Sequence, residues 1–180
     1  MSERKGDWIQ TFTGIQFWPL DPRPEEIFIE DIAHALSNQC RFSGHVRKFY
    51  SVAEHSVRVT LRVPAPHRLW GLLHDASEAY LTNLARPIKY YSRLGDAYRE
   101  IEEPLMKCIC ERFGLSPAEP LEVKTADNEL LITEKRDLMG PGPAKWGEEI
   151  LFQPLPGIIW PLAPEVAERK FLELFHALTY

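Results

Sequence analysis

Apolar residues recur at helical spacing along most of this chain, and the pattern predicts an all-α protein. Ile29, Ile32, Ala33 and Leu36 lie three or four positions apart and predict a short first helix. Longer periodic stretches predict five further helices. They span residues 52–63, 67–81, 94–113, 117–138 and 164–178. We therefore expect a single domain over residues 1–180, built as a compact bundle of five or six helices.

The remaining segments are rich in proline and glycine and predict irregular structure. Residues 7–26 contain several prolines, which forbid a long helix, so we expect extended strands or turns that pack aromatic rings onto the body. The aromatic residues of this N-terminal segment are Trp8, Phe12, Phe17 and Trp18. Residues 37–49 predict a loop, residues 139–143 a break, and residues 146–161 a coil laid over the core.

The composition indicates a globular protein, with 44% hydrophobic and 26% charged residues in 180. No stretch approaches 18 uninterrupted apolar residues, and the first residues lack the apolar segment of a signal peptide. We therefore expect a cytoplasmic protein with no membrane partner and with reduced thiols at Cys40, Cys108 and Cys110. The net charge of -5 argues against a nucleic-acid polymer as partner, because phosphate backbones are bound by basic surfaces.

Two windows of the chain, residues 32–53 and 79–95, contain no acidic residue although the chain has 26 in total. Their basic residues are Arg41, Arg47, Lys48, Arg86, Lys89 and Arg93. Clustered cations raise the local concentration of anions, so these windows predict a positive rim that attracts a small anionic ligand. The alternative is that both windows are ordinary solvated loops.

Two histidines and two aspartates stand out as candidate metal ligands. His74 and Asp75 interrupt an apolar stretch, where each unsatisfied polar group costs about 1–3 kcal/mol. His55 and Asp127 lie in two other predicted helices, so one divalent ion could compensate all four side chains. Two imidazole nitrogens and two carboxylate oxygens suit Mn, Fe, Co, Ni or Zn better than Mg or Ca. The alternative is a hydrogen-bonded His-Asp pair within the core.

Five motifs of the chain resemble the HD-domain metal-dependent phosphohydrolases. They are RFSGH (41–45), FYSVAEHS (49–56), LHDASEAY (73–80), RPIK (86–89) and AD (126–127). The resemblance covers roughly residues 29–139 and is to the branch of the bacterial 5'-deoxynucleotidases and the phage deoxyadenosine triphosphate triphosphohydrolases. It implies a helical HD-domain fold and hydrolysis of a phosphate ester or anhydride in a nucleotide.

The resemblance assigns roles to particular residues. His55, His74, Asp75 and Asp127 match the family's metal ligands, and Glu78 matches its catalytic carboxylate. On one continuous helix, Glu78 would share a face with His74 and Asp75, from which it lies four and three residues away. There it could orient or deprotonate water, or protonate a departing oxygen. The alternative for Glu78 is an exposed helix glutamate.

Residues of the basic windows match the family's substrate contacts. Arg41 resembles the arginine that holds the substrate phosphate, and a bidentate guanidinium suits that task. Phe42 could stack on a sugar or base, or be a core aromatic. Lys89 matches a lysine that neutralises phosphate charge, and Pro87 restricts the backbone that leads into it. Two further candidates, each either a substrate contact or a surface residue, are Arg86 and His45.

Asn83 departs from the family pattern, because the nucleotidase relatives usually carry aspartate there. An amide forms hydrogen bonds but cannot transfer a proton at neutral pH. If that aspartate protonates a monophosphate's leaving group, the substitution favours a phosphoanhydride substrate, whose leaving group is better. We nevertheless expect first a 5'-deoxynucleotidase that releases phosphate from deoxynucleoside monophosphates.

Two other functions remain open at this point. One is a deoxynucleoside triphosphate triphosphohydrolase, and the other is a non-catalytic sensor domain that binds metal and nucleotide. Relatives in the family commonly self-associate, so the resemblance also implies a homo-oligomer, a dimer or larger.

Overall fold

A computed structural model describes residues 4–179 and consists mainly of α-helices, which confirms the all-α prediction. The helices are α1 (Ile29–Asn38), α2 (Val52–Arg62), α3 (Arg68–Leu73), α4 (Glu78–Leu81), α5 (Arg86–Tyr91), α6 (Arg93–Phe113), α7 (Leu121–Leu138) and α8 (Pro164–Thr179). The described residues thus form eight α-helices rather than five or six. The difference arises because one predicted helix is divided and α5 was not expected.

Helix α2 lies between two apolar clusters and so occupies the centre of the bundle. Val57 packs into a cluster with residues of α1, α3, α6 and α8, whereas Val59 packs into a second cluster with residues of α6 and α7. The helix begins at Val52 because the Ser51 side chain accepts a hydrogen bond from the Glu54 backbone N–H at 3.0 Å. Burial on both sides leaves His55 fully enclosed within the protein.

The helix predicted over residues 67–81 is wrong as one continuous element. Helix α3 ends at Leu73 and α4 begins at Glu78, and a tight turn joins them in which the Glu78 N–H bonds the Asp75 carbonyl at 3.0 Å. Carbonyls in the last turn of a helix lack helical partners. His74 Nδ1 lies 2.8 Å from the Gly71 carbonyl and satisfies it there. The candidate ligands His74 and Asp75 therefore lie in a turn, not on a helix face.

Prolines explain two further departures from the predicted boundaries. Helix α7 begins at Leu121 rather than at residue 117, because Pro120 restrains its own φ and disfavours helical backbone at the residue before it. Helix α5 begins one residue before Pro87, and proline is favoured in a first helical turn. The second acid-free window therefore contains a helix as well as a loop.

Helix α6 ends as predicted, while its start lies one residue earlier. Its N-terminus is capped by the Ser92 side chain, which accepts from the Gly95 N–H at 3.1 Å. At its C-terminus Gly114 adopts the left-handed conformation, with φ of 68°. Cys108 and Cys110 on this helix pack into different apolar clusters, and both are free thiols.

The N-terminal segment forms a two-stranded antiparallel sheet, as the expectation of strands or turns implied. Strand β1 (Ile9–Gln10) pairs with β2 (Gln16–Phe17). Phe17 is fully buried and stacks on Tyr80 with ring centroids 4.1 Å apart, which anchors the sheet to α4. Phe12 instead lies over His34 and remains 61% exposed.

Among residues 4–179, no helix combines the length and the apolar character that crossing a membrane would require.

Candidate metal centre

The four candidate ligands converge from three parts of the fold: α2, the turn after α3, and α7. The Nε2 atoms of His55 and His74 lie 3.3 Å apart. Asp75 Oδ2 lies 3.3 Å from His74 Nε2 and 3.9 Å from His55 Nε2. Asp127 Oδ1 lies 3.3 Å from His55 Nε2. The side chains that the sequence singled out are therefore neighbours in space.

The spacing of the His55, His74 and Asp75 atoms fits a shared divalent cation. Two ligand atoms about 2.1 Å from one ion are about 3.0 Å apart at a right angle and about 4.2 Å apart on opposite sides. The four separations between 3.3 and 3.9 Å fall inside that interval. One ligand atom each from His55, His74 and Asp75 lies within 4.8 Å of the others. These residues could therefore hold a metal ion, with Asp127 adjoining through His55.

The hydrogen bonds of both imidazole rings orient the rings so that their Nε2 atoms face the cluster. A backbone carbonyl only accepts, so His74 Nδ1 donates its proton to Gly71 at 2.8 Å. His55 Nδ1 lies 2.6 Å from Glu134 Oε1, and an ionised carboxylate likewise only accepts. In both rings the Nδ1 proton is thus donated to a hydrogen bond away from the cluster, and the Nε2 atom faces the cluster. Such a partner on the second nitrogen is the usual arrangement for metal-binding histidines.

The charges around the cluster favour a cation. Burial and the nearby Arg41 both lower the pKa of His55, yet the carboxylates of Glu134 and Asp127 outweigh them and raise it to about 9. Burial opposes ionisation of Asp127, but the hydrogen bond and charge of His55 hold the pKa of that carboxyl well below its usual range. A site that draws a proton to Nε2 attracts a metal cation for the same electrostatic reason.

Glu134 on α7 is a site residue that the sequence analysis missed. It is fully buried, and its Oε2 accepts from Arg41 Nε at 3.2 Å while its Oε1 accepts from the Tyr50 hydroxyl at 2.8 Å. A signal for it exists, because Glu134 follows Asp127 by seven residues, two helical turns, and so lies on the same face of α7. The sequence signal for Glu134 is therefore a second acidic residue on the helix face that carries the candidate ligand Asp127.

Arg41 lies beside the cluster, where the resemblance predicts a phosphate contact. Its NH1 lies 3.3 Å from Asp75 Oδ2, and the side chain is largely buried. Burial opposes its charge, but Glu134 and Asp75 outweigh that effect and raise the pKa of the guanidinium further. Phe42 and Ser43 follow with φ of 55° and 51°, a region that residues other than glycine rarely adopt. Strained backbone of this kind often marks functional sites.

Glu78 and Asn83 form a hydrogen-bonded pair. Asn83 Nδ2 donates to Glu78 Oε2 at 2.8 Å. Burial and the nearby Asp75 raise the pKa of Glu78 to about 8, while the hydrogen bond from Asn83 acts in the opposite direction. Gln39 holds the two together, because its Nε2 donates to the Glu78 carbonyl at 2.8 Å and its Oε1 accepts from the Asn83 N–H at 3.0 Å. Gln39 was not expected from the sequence.

One cavity of about 1370 Å³ gathers most of the predicted site residues. Its walls include Arg41, Phe42, His45, His74, Asp75, Glu78, Asn83, Arg86, Pro87, Lys89 and Asp127. His55 lies behind the wall rather than in it, since it is fully buried. Lys89 Nζ pairs with Glu102 at 2.8 Å, and Arg86 NH1 bonds Asn128 Oδ1 at 3.1 Å. The Phe42 ring lies 6.1 Å from that of Trp146.

The cavity wall is not positive, so the expected positive rim is wrong. Seven acidic and five basic side chains line the cavity, which gives a formal charge of -2 with histidines neutral. The acids are Asp75, Glu78, Glu102, Glu103, Glu119, Asp127 and Glu148, and the bases are Arg41, Arg86, Lys89, Arg99 and Lys124. Acidic residues distant in sequence fold against the basic windows, as Glu102 does with Lys89 and Glu148 with Arg86.

The fold and the site together define the class of this protein. It is a mainly helical domain with a polar cluster that could hold a metal ion. The chain belongs to the family of the Escherichia coli K12 protein YfdR, an uncharacterized protein that is 40% identical over 174 residues, 96% of each chain. It is also similar to RCAP_rcc00048, an uncharacterized protein of Rhodobacter capsulatus, with 36% identity over 131 residues, 68% of this chain and 66% of the other. No protein-family model matches the chain.

Proposed function

We propose that this protein is a metal-dependent phosphohydrolase of the HD-domain type that acts on deoxynucleotides. The substrate we favour is a 5'-deoxynucleoside monophosphate, from which inorganic phosphate is released. The observation that carries the proposal is the cluster of His55, His74, Asp75 and Asp127 at one cavity with Arg41 and Glu78. That combination offers a cation site, an anion contact and a proton carrier at one place, as phosphate hydrolysis requires.

A divalent transition metal ion (Co, Mn, Zn, Ni or Fe) held by these four side chains would supply Lewis-acid chemistry, activating water near neutral pH and neutralising phosphate charge. The protein's own residues perform the remaining tasks. Arg41 binds phosphoryl oxygens from the cavity wall, with its orientation set by Glu134 and Asp75. Lys89 and Arg86 lie farther along the same wall and contact the rest of the substrate.

Glu78 carries the proton in this mechanism. Its pKa of about 8 lets it accept or donate a proton near neutral pH, which an ordinary exposed glutamate does poorly. Glu78 takes a proton from the attacking water as the oxygen–phosphorus bond forms. It returns that proton to the departing 5' oxygen as the old phosphorus–oxygen bond breaks. Asn83 holds the Glu78 carboxyl in place through its 2.8 Å hydrogen bond.

The charge of the cavity favours a monophosphate over a triphosphate. With Glu78 ionised, as it must be to accept a proton, the lining side chains carry a formal charge of -2, which one divalent cation balances. A phosphomonoester adds a charge of about -1.5 to -2 at pH 7, whereas a triphosphate brings considerably more. Because few unpaired cations line the cavity among the described residues, the extra charge of a triphosphate would be poorly compensated there.

A panel of deoxynucleotides tests the proposal. Purified protein loaded with Mn, Co or Zn is incubated with deoxynucleoside mono-, di- and triphosphates, and released phosphate is separated from released triphosphate. We expect inorganic phosphate from the monophosphates. Triphosphate as the main product would instead support the triphosphohydrolase. Release of neither ion with any of the three metals would contradict the enzyme proposal.

A nucleotide sensor without turnover is the second candidate, and Asn83 favours it. The side chain beside Glu78 is an amide, which cannot protonate a leaving group. Calorimetry with the same deoxynucleotides separates the two candidates. Binding without product release would support the sensor, and product release would exclude it.

Replacing Asn83 with aspartate should shift the pH dependence of hydrolysis. The substitution exchanges a donor that favours ionised Glu78 for a second carboxyl at 2.8 Å, and close carboxylates resist double ionisation. The pKa of Glu78 therefore rises. Because Glu78 must be ionised to accept the proton from water, we expect the acidic limb of the kcat profile, measured between pH 5 and 10, to move to higher pH.

The matched control for this prediction is Asn38→Asp on α1, where the asparagine bonds the His34 carbonyl outside the cavity. It should leave the profile unchanged. An unaltered profile in Asn83→Asp would show that Asn83 does not influence the proton carrier.

A further inference from the structure

Glu134 is the only fully buried acid, among the described residues, that contacts both a candidate metal ligand and the candidate phosphate-binding arginine. We propose that Glu134 is a positioning residue whose single carboxylate fixes the ring of His55 for metal ligation and the guanidinium of Arg41 for phosphate binding. The inference rests on the metal centre and the role of Arg41 in the proposed function. Glu134 thereby connects the metal-binding part of the site, at His55, with the phosphate-binding part, at Arg41.

The geometry divides the work between the two oxygens of Glu134. Oε1 accepts from His55 Nδ1 at 2.6 Å and from the Tyr50 hydroxyl at 2.8 Å, and Oε2 accepts from Arg41 Nε at 3.2 Å. The first bond keeps the proton on Nδ1 and leaves Nε2 facing the cluster. The second restrains the guanidinium, whose NH1 group points to Asp75 at 3.3 Å. The orientation of His55 and the orientation of Arg41 therefore both depend on the Glu134 side chain.

Only a carboxylate can serve both partners at once. A glutamine of the same shape has one accepting oxygen and one donating NH₂ group. If its oxygen faces His55, its NH₂ group faces the N–H of Arg41, and two donors cannot form a hydrogen bond. If it is turned over, its NH₂ faces His55 Nδ1, which must then accept, and the ring proton moves to Nε2, where it blocks ligation. Either orientation damages one half of the site.

The chain offers a matched residue in Glu54, a second fully buried glutamate whose hydrogen bonds lie outside the cluster. Its carboxylate accepts from Arg58 NH2 at 2.7 Å and from the Leu162 N–H at 2.8 Å. Those contacts tie α2 to the segment before α8 and do not reach the metal ligands. A glutamine at this position tests the cost of neutralising a buried glutamate without touching the cluster.

Co²⁺ titration of the metal-free protein, followed by visible absorption, measures the affinity and the ligand environment. We expect Glu134→Gln to weaken Co²⁺ binding about 10–100-fold, the usual effect of losing a partner of a ligating histidine, and to shift the absorption bands. Glu54→Gln should lower thermal stability yet bind Co²⁺ with the affinity and spectrum of the wild type. Inorganic phosphate binding to the Co²⁺-saturated protein should weaken in Glu134→Gln alone.

Two further variants make the test decisive. Tyr50→Phe removes one donor to Glu134 but neither of the other two, so Co²⁺ affinity should be retained. If Glu134→Gln does not fold by circular dichroism, Glu134→Asp keeps the charge at shorter reach, and we expect weakened Co²⁺ binding with shifted bands. Wild-type affinity in the folded Glu134 variant would overturn the proposal. Equal weakening in Glu54→Gln would also overturn it, because the effect would then be structural.

The readout separates this inference from the proposed hydrolysis. Co²⁺ binding requires no substrate, so an inactive protein whose Co²⁺ affinity depends on Glu134 would contradict the enzyme and support the positioning role. A wild-type protein that does not bind Co²⁺ would overturn both.

Discussion

Glu78→Gln is expected to reduce hydrolysis of deoxynucleoside monophosphates by about 10²–10⁴-fold, the usual contribution of a general acid or base. Glutamine preserves the shape of the side chain and can still bond Asn83, but it cannot take or return a proton. The loss should fall on kcat, because metal and phosphate are held by other residues. Steady-state kinetics with the best substrate of the panel measures it.

The same variant should still bind Co²⁺ and inorganic phosphate, which separates a lost proton carrier from a collapsed site. Glu173→Gln provides the control, since Glu173 lies on α8 and pairs with Arg169 on the protein surface. That variant should retain full activity. Wild-type kcat in Glu78→Gln would remove Glu78 from the mechanism, and loss of Co²⁺ binding would show that the substitution had disturbed the cluster instead.

Addition of Mn²⁺, Co²⁺ or Zn²⁺ to metal-stripped protein is expected to raise the thermal unfolding midpoint. A ligand at 1,000 times its Kd stabilises the folded state by about 4 kcal/mol. For a domain of this size each kcal/mol corresponds to about 2–4 °C, so the rise should be about 8–16 °C. The physical reason is that the candidate ligands come from α2, α7 and the turn after α3, so an ion held by them would link three separate parts of the fold.

Asp127→Asn should remove most of this rise, because it takes a charged ligand atom from the cluster and leaves α7 without a direct link to the ion. Asp96→Asn is the matched control, as Asp96 pairs with Arg99 near the start of α6 and is well exposed. The control should show the wild-type rise. Absence of any rise with all three metals in the wild-type protein would contradict the metal centre.

The sequence was sufficient for the helical class and for the candidate ligands. Apolar residues at spacings of three and four predicted α1, α2, α6 and α8 within a few residues, because burying one face is what stabilises a helix in a domain. The ligands were visible since polar pairs such as His74 and Asp75 are costly in an apolar stretch unless something compensates them. Resemblance to a family pattern assigned roles to Glu78 and Arg41, and both side chains line one cavity.

Where the prediction failed, the cause was a particular side-chain contact, local at the divided helix and between separate elements at the basic windows. The helix over 67–81 divides after Leu73, where His74 Nδ1 satisfies the Gly71 carbonyl at the helix end. The basic windows predicted a positive rim, but Glu102 and Glu148 neutralise Lys89 and Arg86 from other elements. Local periodicity carries no information about such pairings.

The sequence by itself therefore determined the helical class, most of the long helices and which side chains could bind a cation. Only the tertiary structure decided how those side chains are held: Glu134 between His55 and Arg41, and Gln39 between Glu78 and Asn83. The physical reason is that helix formation depends on neighbours within one or two turns, whereas a buried charge is stabilised only by partners that packing brings to it from elsewhere in the chain.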